Sequence, residues 1–194
     1  MNYLNIAGGK IIPSEMQDNS GSTFSIMLDT MYEVYEKSIN SWDLLERYKH
    51  NEMGLYFSGE CVYDFLDDNL IPFDKIYCHR FLEHVPFDKV SFFIYQVSTN
   101  LKMGGEFDII VPDYTVLAER LLNESVGAEG WDAENIILTT EIVNEPGCPH
   151  ASLWTEERLK YLLELEGRFA IKDLEKNYLY DGRDIYIRAI FKRI

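Results

Sequence analysis

The stretch from residue 73 to residue 113, FDKIYCHRFLEHVPFDKVSFFIYQVSTNLKMGGEFDIIVPD, decides the fold. A short run centred on Lys75 to Cys78 predicts a strand. After it, we expect a helix capped at its start by Asp88 and ended by Gly104–Gly105. A nearly continuous apolar run, Glu106–Asp113, then predicts a strand that is covered on both faces. The helix is predicted from apolar residues with i, i+3, i+4, i+7 spacing, namely Val90, Phe93, Ile94, Val97 and Leu101.

Strand and helix patterns also alternate along the rest of the chain. A strong helix is predicted within TEERLKYLLELEG, with Thr155 as its N-cap and Gly167 as its end. The remaining residues predict an antiparallel hairpin that turns at Asp181–Gly182. Three earlier strands are predicted at Tyr3–Ala7, Thr23–Asp29 and Glu60–Asp67. This order predicts one α/β domain, residues 1–194, with a Rossmann-like, doubly wound and mainly parallel sheet that ends in an antiparallel hairpin.

Composition narrows the class of protein. With 18 basic and 33 acidic residues the formal net charge is −15, which makes nucleic acids and anionic membranes unfavourable partners. The three cysteines, Cys61, Cys78 and Cys148, form no C-x-x-C pair, as expected of reduced thiols in the cytoplasm. We expect neither a leader nor a membrane-spanning segment. The 13 tyrosines and 11 phenylalanines leave a homo-oligomer open.

Polar residues and glycines follow the predicted strands, where ligands bind in parallel sheets. Gly8 and Gly9 follow the first strand, and Asp29 lies 20 residues beyond Gly9. A carboxylate at about that distance suits the hydroxyls of a ribose. Asp64 and His79 follow later strands. Each of these residues alone also has an ordinary explanation, since glycine pairs make turns, aspartates cap helices and single histidines lie in cores or on surfaces.

Four stretches together resemble the class I S-adenosylmethionine-dependent methyltransferases. LNIAGGK is similar to the LNLGCG loop of that family, and KIYCHRFLEHV to its strand followed by LEHV. NLKMGGEFDIIVPDY is similar to its LKPGG and VPD segment, and PHASLWTEERLKYLLELEGRF to its later H…L..LL...GF segment. The resemblance is greatest to small predicted methyltransferases with a shortened first crossover. It implies a seven-stranded sheet with a reversed last hairpin, and S-adenosylmethionine across the ends of the first, second and fourth strands.

The resemblance also implies which residues line this cofactor. Asp29 would accept hydrogen bonds from the ribose, Asp64 would accept one from the exocyclic amine of adenine, and Phe65 would contact its ring. An acidic domain with aromatic side chains suits the positive sulfonium. Six residues would lie along the methionine end: Ala7, Gly8 and Gly9 in the glycine loop, and His79, Arg80 and Phe81 near the sulfonium.

Two departures from the family pattern bear on function. Ala7 replaces the first glycine of the loop, and the span from Gly8 to Thr23 is too short for a full helix. The favoured hypothesis is a methyltransferase that acts on an unidentified small molecule or protein. The departures support an alternative, a catalytically silent methyltransferase-like module that binds a partner protein. A nicotinamide-dependent oxidoreductase is disfavoured because G-x-G-x-x-G is absent.

Methyl transfer needs a base only when the acceptor must lose a proton. His150 and His84 are the candidate catalytic bases, with His79 third, and Glu83 could orient the ring of His84. Quinone-biosynthesis O-methyltransferases of this fold use an E-x-x-E-H cluster for a metal ion at the LEH position. Here Arg80 stands in the place of the first Glu, so we expect no metal.

Overall fold

A computed structural model of the protein describes residues 1–6, 24–28, 55–58, 62–68, 72–123, 150–165, 167–180 and 182–194. The predicted cofactor residues Ala7, Gly8, Gly9 and Asp29 lie outside these described residues, and the side chain of Asp64 is not described.

Seven strands and four helices are described, together with a 3-10 turn, Leu82–His84, between β4 and α2. The strands are β1 Asn2–Ile6, β2 Phe24–Leu28, β3 Leu55–Ser58, β4 Phe73–His79, β5 Leu101–Pro112, β6 Phe169–Tyr180 and β7 Arg183–Arg193. The helices are α1 Val62–Asp68, α2 Phe87–Asn100, α3 Tyr114–Asn123 and α4 Glu156–Leu165. None of these described helices is long and apolar enough to cross a lipid bilayer.

The strands form one mixed sheet in the order β3-β2-β1-β4-β5-β7-β6. Strands β1 to β5 pair in parallel, whereas β7 pairs antiparallel with both β5 and β6. The predicted α/β fold is therefore confirmed. The chain runs outward from β1 through β2 to β3 and then returns to place β4 on the other side of β1. This reversal opens a crevice beyond the carboxyl ends of β1 and β4, the place where α/β sheets bind ligands.

One face of the sheet carries the main apolar core. Ile6 of β1, Ile76 of β4 and Phe107 of β5 point into it and are almost fully buried. The predicted stripe of α2 packs against them, because its residues Val90, Phe93, Ile94 and Val97 are all 0% exposed. Burial of this stripe, rather than helix propensity, stabilises α2.

The ends of α2 differ from the prediction. Pro86, not Asp88, is the N-cap residue, and the helix ends where Leu101 becomes extended. Leu101 pairs with Phe73, so β5 starts there, and Gly104 lies inside the strand with a φ of 77°. The predicted start of the last helix is confirmed. The Thr155 hydroxyl accepts a hydrogen bond from the Arg158 backbone at 3.3 Å.

The predicted strand at Glu60–Asp67 is wrong. Val62–Asp68 forms α1, and the third strand is Leu55–Ser58. Val62 and Leu66, four residues apart, both enter the core, as one face of a helix requires. Asp64 and Phe65 therefore lie on a helix and not at the end of a strand, and Phe65 packs against the core cluster.

The other face of the sheet has a buried ion network. Asp108 of β5 is 0% exposed and accepts hydrogen bonds from Arg188 at 3.1 and 2.7 Å. The Lys75 ammonium is 3.1 Å away, and Nε2 of His79 is 3.4 Å away. Burial alone would raise the pKa of Asp108, but the hydrogen bonds with His79 and Arg188 outweigh it and hold this pKa well below its usual range. The carboxylate is thus the centre on which three basic side chains converge.

We expect Asp108→Asn to lower the free energy of unfolding by about 3 to 5 kcal/mol, because it leaves buried cations without their counter-charge. Asp184→Asn, which breaks the exposed pair with Arg120, should cost at most about 1 kcal/mol. Urea unfolding at pH 7 measures both. If the two variants lose equal free energy of unfolding, the buried network stabilises the protein no more than the exposed ion pair does.

The same carboxylate predicts an acid dependence. Because the pKa of Asp108 is lower in the folded than in the unfolded protein, its contribution is present above about pH 4 and is lost as pH falls further. The stability difference between the wild-type protein and Asp108→Asn should therefore shrink on acidification. A difference that is constant from pH 7 to pH 2.5 would contradict this assignment.

Candidate cofactor and acceptor site

The chain leaves β4 at the crevice through a constrained turn. Arg80 has a φ of 56°, a left-handed conformation that is uncommon for a residue with a Cβ. Its backbone N–H donates to the Ile110 carbonyl at 2.8 Å, which ties the turn to β5. The left-handed residue redirects the chain into the 3-10 turn Leu82–His84 instead of letting β4 continue.

The three residues expected near a sulfonium have different neighbours. His79 contacts Asp108 and, ring to ring, Tyr180. The Arg80 guanidinium lies 6.0 Å from the centroid of the Tyr186 ring, and the Phe81 ring lies 5.6 Å from that of Phe93 in the core. All three are at the predicted edge of the sheet, but their side chains do not converge on one point.

Glu83, His84 and His150 do converge. Each offers one potential ligand atom, a carboxylate oxygen or a ring nitrogen, and these atoms all lie within 4.8 Å of one another. The two imidazole centroids are 4.9 Å apart. Glu83 is fully buried, whereas both imidazoles are half-buried. We name these three residues the Glu83 cluster. The sequence predicted both histidines as bases but could not show that they adjoin.

Backbone hydrogen bonds hold the Glu83 cluster together. The N–H groups of Ala151 and Ser152 both donate to the Glu83 carbonyl, at 2.7 and 3.0 Å. The Ser152 hydroxyl donates to the Leu82 carbonyl at 3.0 Å and accepts from the Trp154 indole at 2.9 Å. The residues just after His150 are therefore fixed against the turn that carries Glu83 and His84.

Tyr114 is a fourth member of the site that the sequence did not single out. Its phenol oxygen lies 2.5 Å from Nδ1 of His150. It is the first residue of α3, two residues after β5 ends, so it lies at the same edge of the sheet. The VPDY string after a buried strand was the available signal. This hydrogen bond fixes the orientation of the His150 ring.

Burial sets the protonation of the site. It raises the pKa of Glu83 to about 7, against the opposing effects of its own backbone N–H group and the charge of Arg80. Burial, helped by the charges of His84 and Arg80, lowers the pKa of His150 to about 4. Burial also holds the pKa of Tyr114 well above its usual range. At neutral pH, His150 is a neutral imidazole beside a protonated phenol.

Comparison with known proteins places this geometry in a known fold. No protein-family model matches the sequence, and no curated protein is significantly similar to it. Solved structures do match. A 1,6-didemethyltoxoflavin-N1-methyltransferase of Burkholderia thailandensis, crystallised with 1,6-didemethyltoxoflavin and S-adenosylhomocysteine, has a TM-score of 0.63 at 16% identity, over 99% of this chain and 70% of that one.

Two further structures agree with the first. The N-methyltransferase NodS of Bradyrhizobium japonicum has a TM-score of 0.58 at 13% identity, over 99% of this chain and 85% of that one. A methyltransferase of Methanosarcina mazei has a TM-score of 0.60 at 18% identity, over 100% and 92%. The chain has the fold of a class I S-adenosylmethionine-dependent methyltransferase. At these identities the likeness shows the fold alone.

We expect Ser152→Ala to lower the free energy of unfolding by about 1 to 3 kcal/mol, because it leaves the Trp154 indole N–H and the Leu82 carbonyl without this buried partner. Ser91→Ala, at an exposed position of α2, is the control and should stay within about 0.5 kcal/mol. Urea unfolding measures both. If Ser152→Ala behaves like the control, Ser152 does not fix the segment after His150.

Proposed function

We propose that the protein transfers a methyl group from S-adenosylmethionine to an acceptor and releases S-adenosylhomocysteine, an activity of class EC 2.1.1.-. The main support is the sheet order, with its reversal between β1 and β4. The carboxyl ends of β1 and β4, at Ile6 and His79, adjoin at this reversal, the place where α/β sheets bind ligands. A sheet of seven strands with an antiparallel last pair is also what the sequence resemblance implies.

In this proposal the nine residues that the resemblance implies bind the cofactor. Asp29 holds the ribose, while Asp64 and Phe65 adjoin the adenine. The placement of Asp64 and Phe65 on α1, shortly after β3, keeps them near the same edge of the sheet. Ala7, Gly8, Gly9, His79, Arg80 and Phe81 line the methionine end.

The chemistry needs little from the protein beyond position. Attack of the acceptor on the methyl carbon displaces the sulfide in line, so the enzyme mainly aligns the two partners. For a hydroxyl or protonated amine acceptor, His150 or His84 accepts the departing proton. The neutral state of His150 at physiological pH supports this role, and Tyr114 holds its ring in place.

The wider setting of the enzyme is part of the proposal. We infer a single soluble domain in the cytoplasm that acts on a small molecule or a protein, with a homo-oligomer as an open possibility. The net charge of −15 supports the exclusion of nucleic acids and anionic membranes as partners.

Cofactor binding is tested by thermal unfolding with S-adenosylmethionine, S-adenosylhomocysteine and NAD in parallel. At a concentration 100 times its dissociation constant, a ligand stabilises by about 2.7 kcal/mol, or about 5 to 10 °C for a domain of this size. We expect the first two compounds to stabilise and NAD to have no effect. Stabilisation by none of the three would instead support the silent binding module, to which the substitution at Ala7 points.

A pair of variants locates the binding site. Asp29→Ala removes the expected ribose acceptor and should weaken binding of S-adenosylhomocysteine roughly tenfold to a hundredfold, since hydrogen bonds to a charged group are lost. Asp173→Ala, at an exposed position of β6, is the matched control and should leave affinity unchanged. Isothermal titration calorimetry measures both. Unchanged affinity in Asp29→Ala would remove Asp29 from the site.

The base assignment has its own test, once an acceptor is found by transfer of a labelled methyl group. His150→Ala or His84→Ala should lower turnover by roughly 10²- to 10⁴-fold while affinity for S-adenosylhomocysteine is kept. If both variants keep full turnover, neither histidine is the base.

A further inference from the structure

The Glu83 cluster contains a buried carboxyl group whose two oxygens lack hydrogen-bond partners among the described residues. A buried carboxylate in that state is costly unless a proton or a cation neutralises it. The two nearest potential ligand groups are imidazoles, which coordinate metal ions in their neutral form.

We propose that Glu83, His84 and His150 form a binding site for a divalent transition-metal ion of the zinc type. One carboxylate and two imidazoles are a donor set that zinc accepts, whereas magnesium and calcium prefer oxygen donors alone. Two of the ligands are half-buried, so positions on the ion are left for water or another ligand. Metal binding requires neither the cofactor nor a methyl acceptor, so it can be measured separately from the proposed methyl transfer.

The geometry requires only small movements. Zinc lies about 2.1 Å from oxygen and nitrogen ligands, so three tetrahedral ligand atoms are about 3.4 Å apart. In the Glu83 cluster these atoms lie within 4.8 Å of one another. Side-chain rotations that shorten each separation by at most about 1.5 Å would complete the coordination, without any change in the backbone.

The backbone and the outer contacts already suit a metal site. The hydrogen bonds from Ala151 and Ser152 to the Glu83 carbonyl hold the segments of His84 and His150 at a fixed separation. The phenol of Tyr114 lies at Nδ1 of His150, the kind of outer contact that orients ligating histidines. It leaves the other ring nitrogen, Nε2, for coordination.

Arg80 led us to expect no metal, and the proposed site departs from that expectation. The guanidinium of Arg80 lies over the Tyr186 ring. More importantly, the third ligand comes from His150, which the spacing around LEH does not include. The charge of Arg80, which also lowers the pKa of His150, opposes a cation, but the spacing around LEH alone does not decide whether the site can bind one. When zinc is bound, an imidazole nitrogen that ligates it is not available to accept a proton.

The test is calorimetric titration of the full-length protein, freed of metal with a chelator, with zinc chloride and, separately, magnesium chloride. We expect one zinc ion per chain, a rise in the thermal midpoint with zinc, and no magnesium binding. Glu83→Gln and His150→Gln should each weaken zinc binding at least tenfold. Glu119→Gln, at an exposed position of α3, is the matched control and should bind zinc like the wild-type protein.

Two further measurements check that the variant is folded and that the metal is bound by these three residues. Glu83→Gln keeps the shape of the side chain and removes a buried unpaired charge, so it should fold, which circular dichroism checks. Cobalt in place of zinc should give a spectrum without a thiolate charge-transfer band, because the site has no cysteine. The proposed site would be overturned if the protein did not bind zinc, if Glu83→Gln bound zinc as tightly as the wild-type protein, or if the cobalt spectrum showed a thiolate band. None of these results would alter binding of S-adenosylmethionine, so the two proposals fail separately.

Discussion

Two backbone N–H groups, those of Ala151 and Ser152, donate to a single carbonyl, that of Glu83. These two hydrogen bonds join the turn after β4 to the segment before α4, which are far apart in the sequence. Together with the bond from the Ser152 hydroxyl to the Leu82 carbonyl, they set the position of His150 relative to His84 and Tyr114. The turn and the segment form one edge of the crevice because this carbonyl is shared.

The two faces of the sheet differ in chemistry, and both hold the strands that lead to this edge. On one face, apolar residues of β1, β4 and β5 pack against α2, and hydrophobic burial fixes the register of the strands. On the other face, the Asp108 carboxylate contacts Lys75, Arg188 and His79. Charges in such a network stabilise little in net terms, but each requires the others in place. The network therefore specifies how β4, β5 and β7 align where β4 enters the turn.

Much of this fold could be predicted from the sequence. The stripe of α2 and the strand after it have long and regular patterns, and both were found. Residues 62–68 were mistaken for a strand because a short apolar run is compatible with either period, and only the core contacts of Val62 and Leu66 decide between them.

The candidate site was harder to predict than the fold. The sequence pointed to the two histidines separately: His84 follows a predicted strand and His150 follows a predicted loop. It also showed Glu83 next to His84. Nothing local predicts that His84 and His150 meet, since their contact depends on the Glu83 carbonyl and on the fold as a whole. Tyr114 was missed for the same reason. Its phenol contacts His150 only in the folded protein, where α3 begins at the edge of the sheet directly after β5.

The burial of Glu83 limits what the site can do. A carboxylate that is 0% exposed must be neutral or neutralised, and Arg80 supplies only part of the compensation from its position over Tyr186. A proton on Glu83 leaves both imidazoles able to accept one from a methyl acceptor. A cation beside it uses the same nitrogens as ligands. The two proposed roles of the histidines are thus alternatives at any one moment, and the charge state of one buried carboxylate separates them.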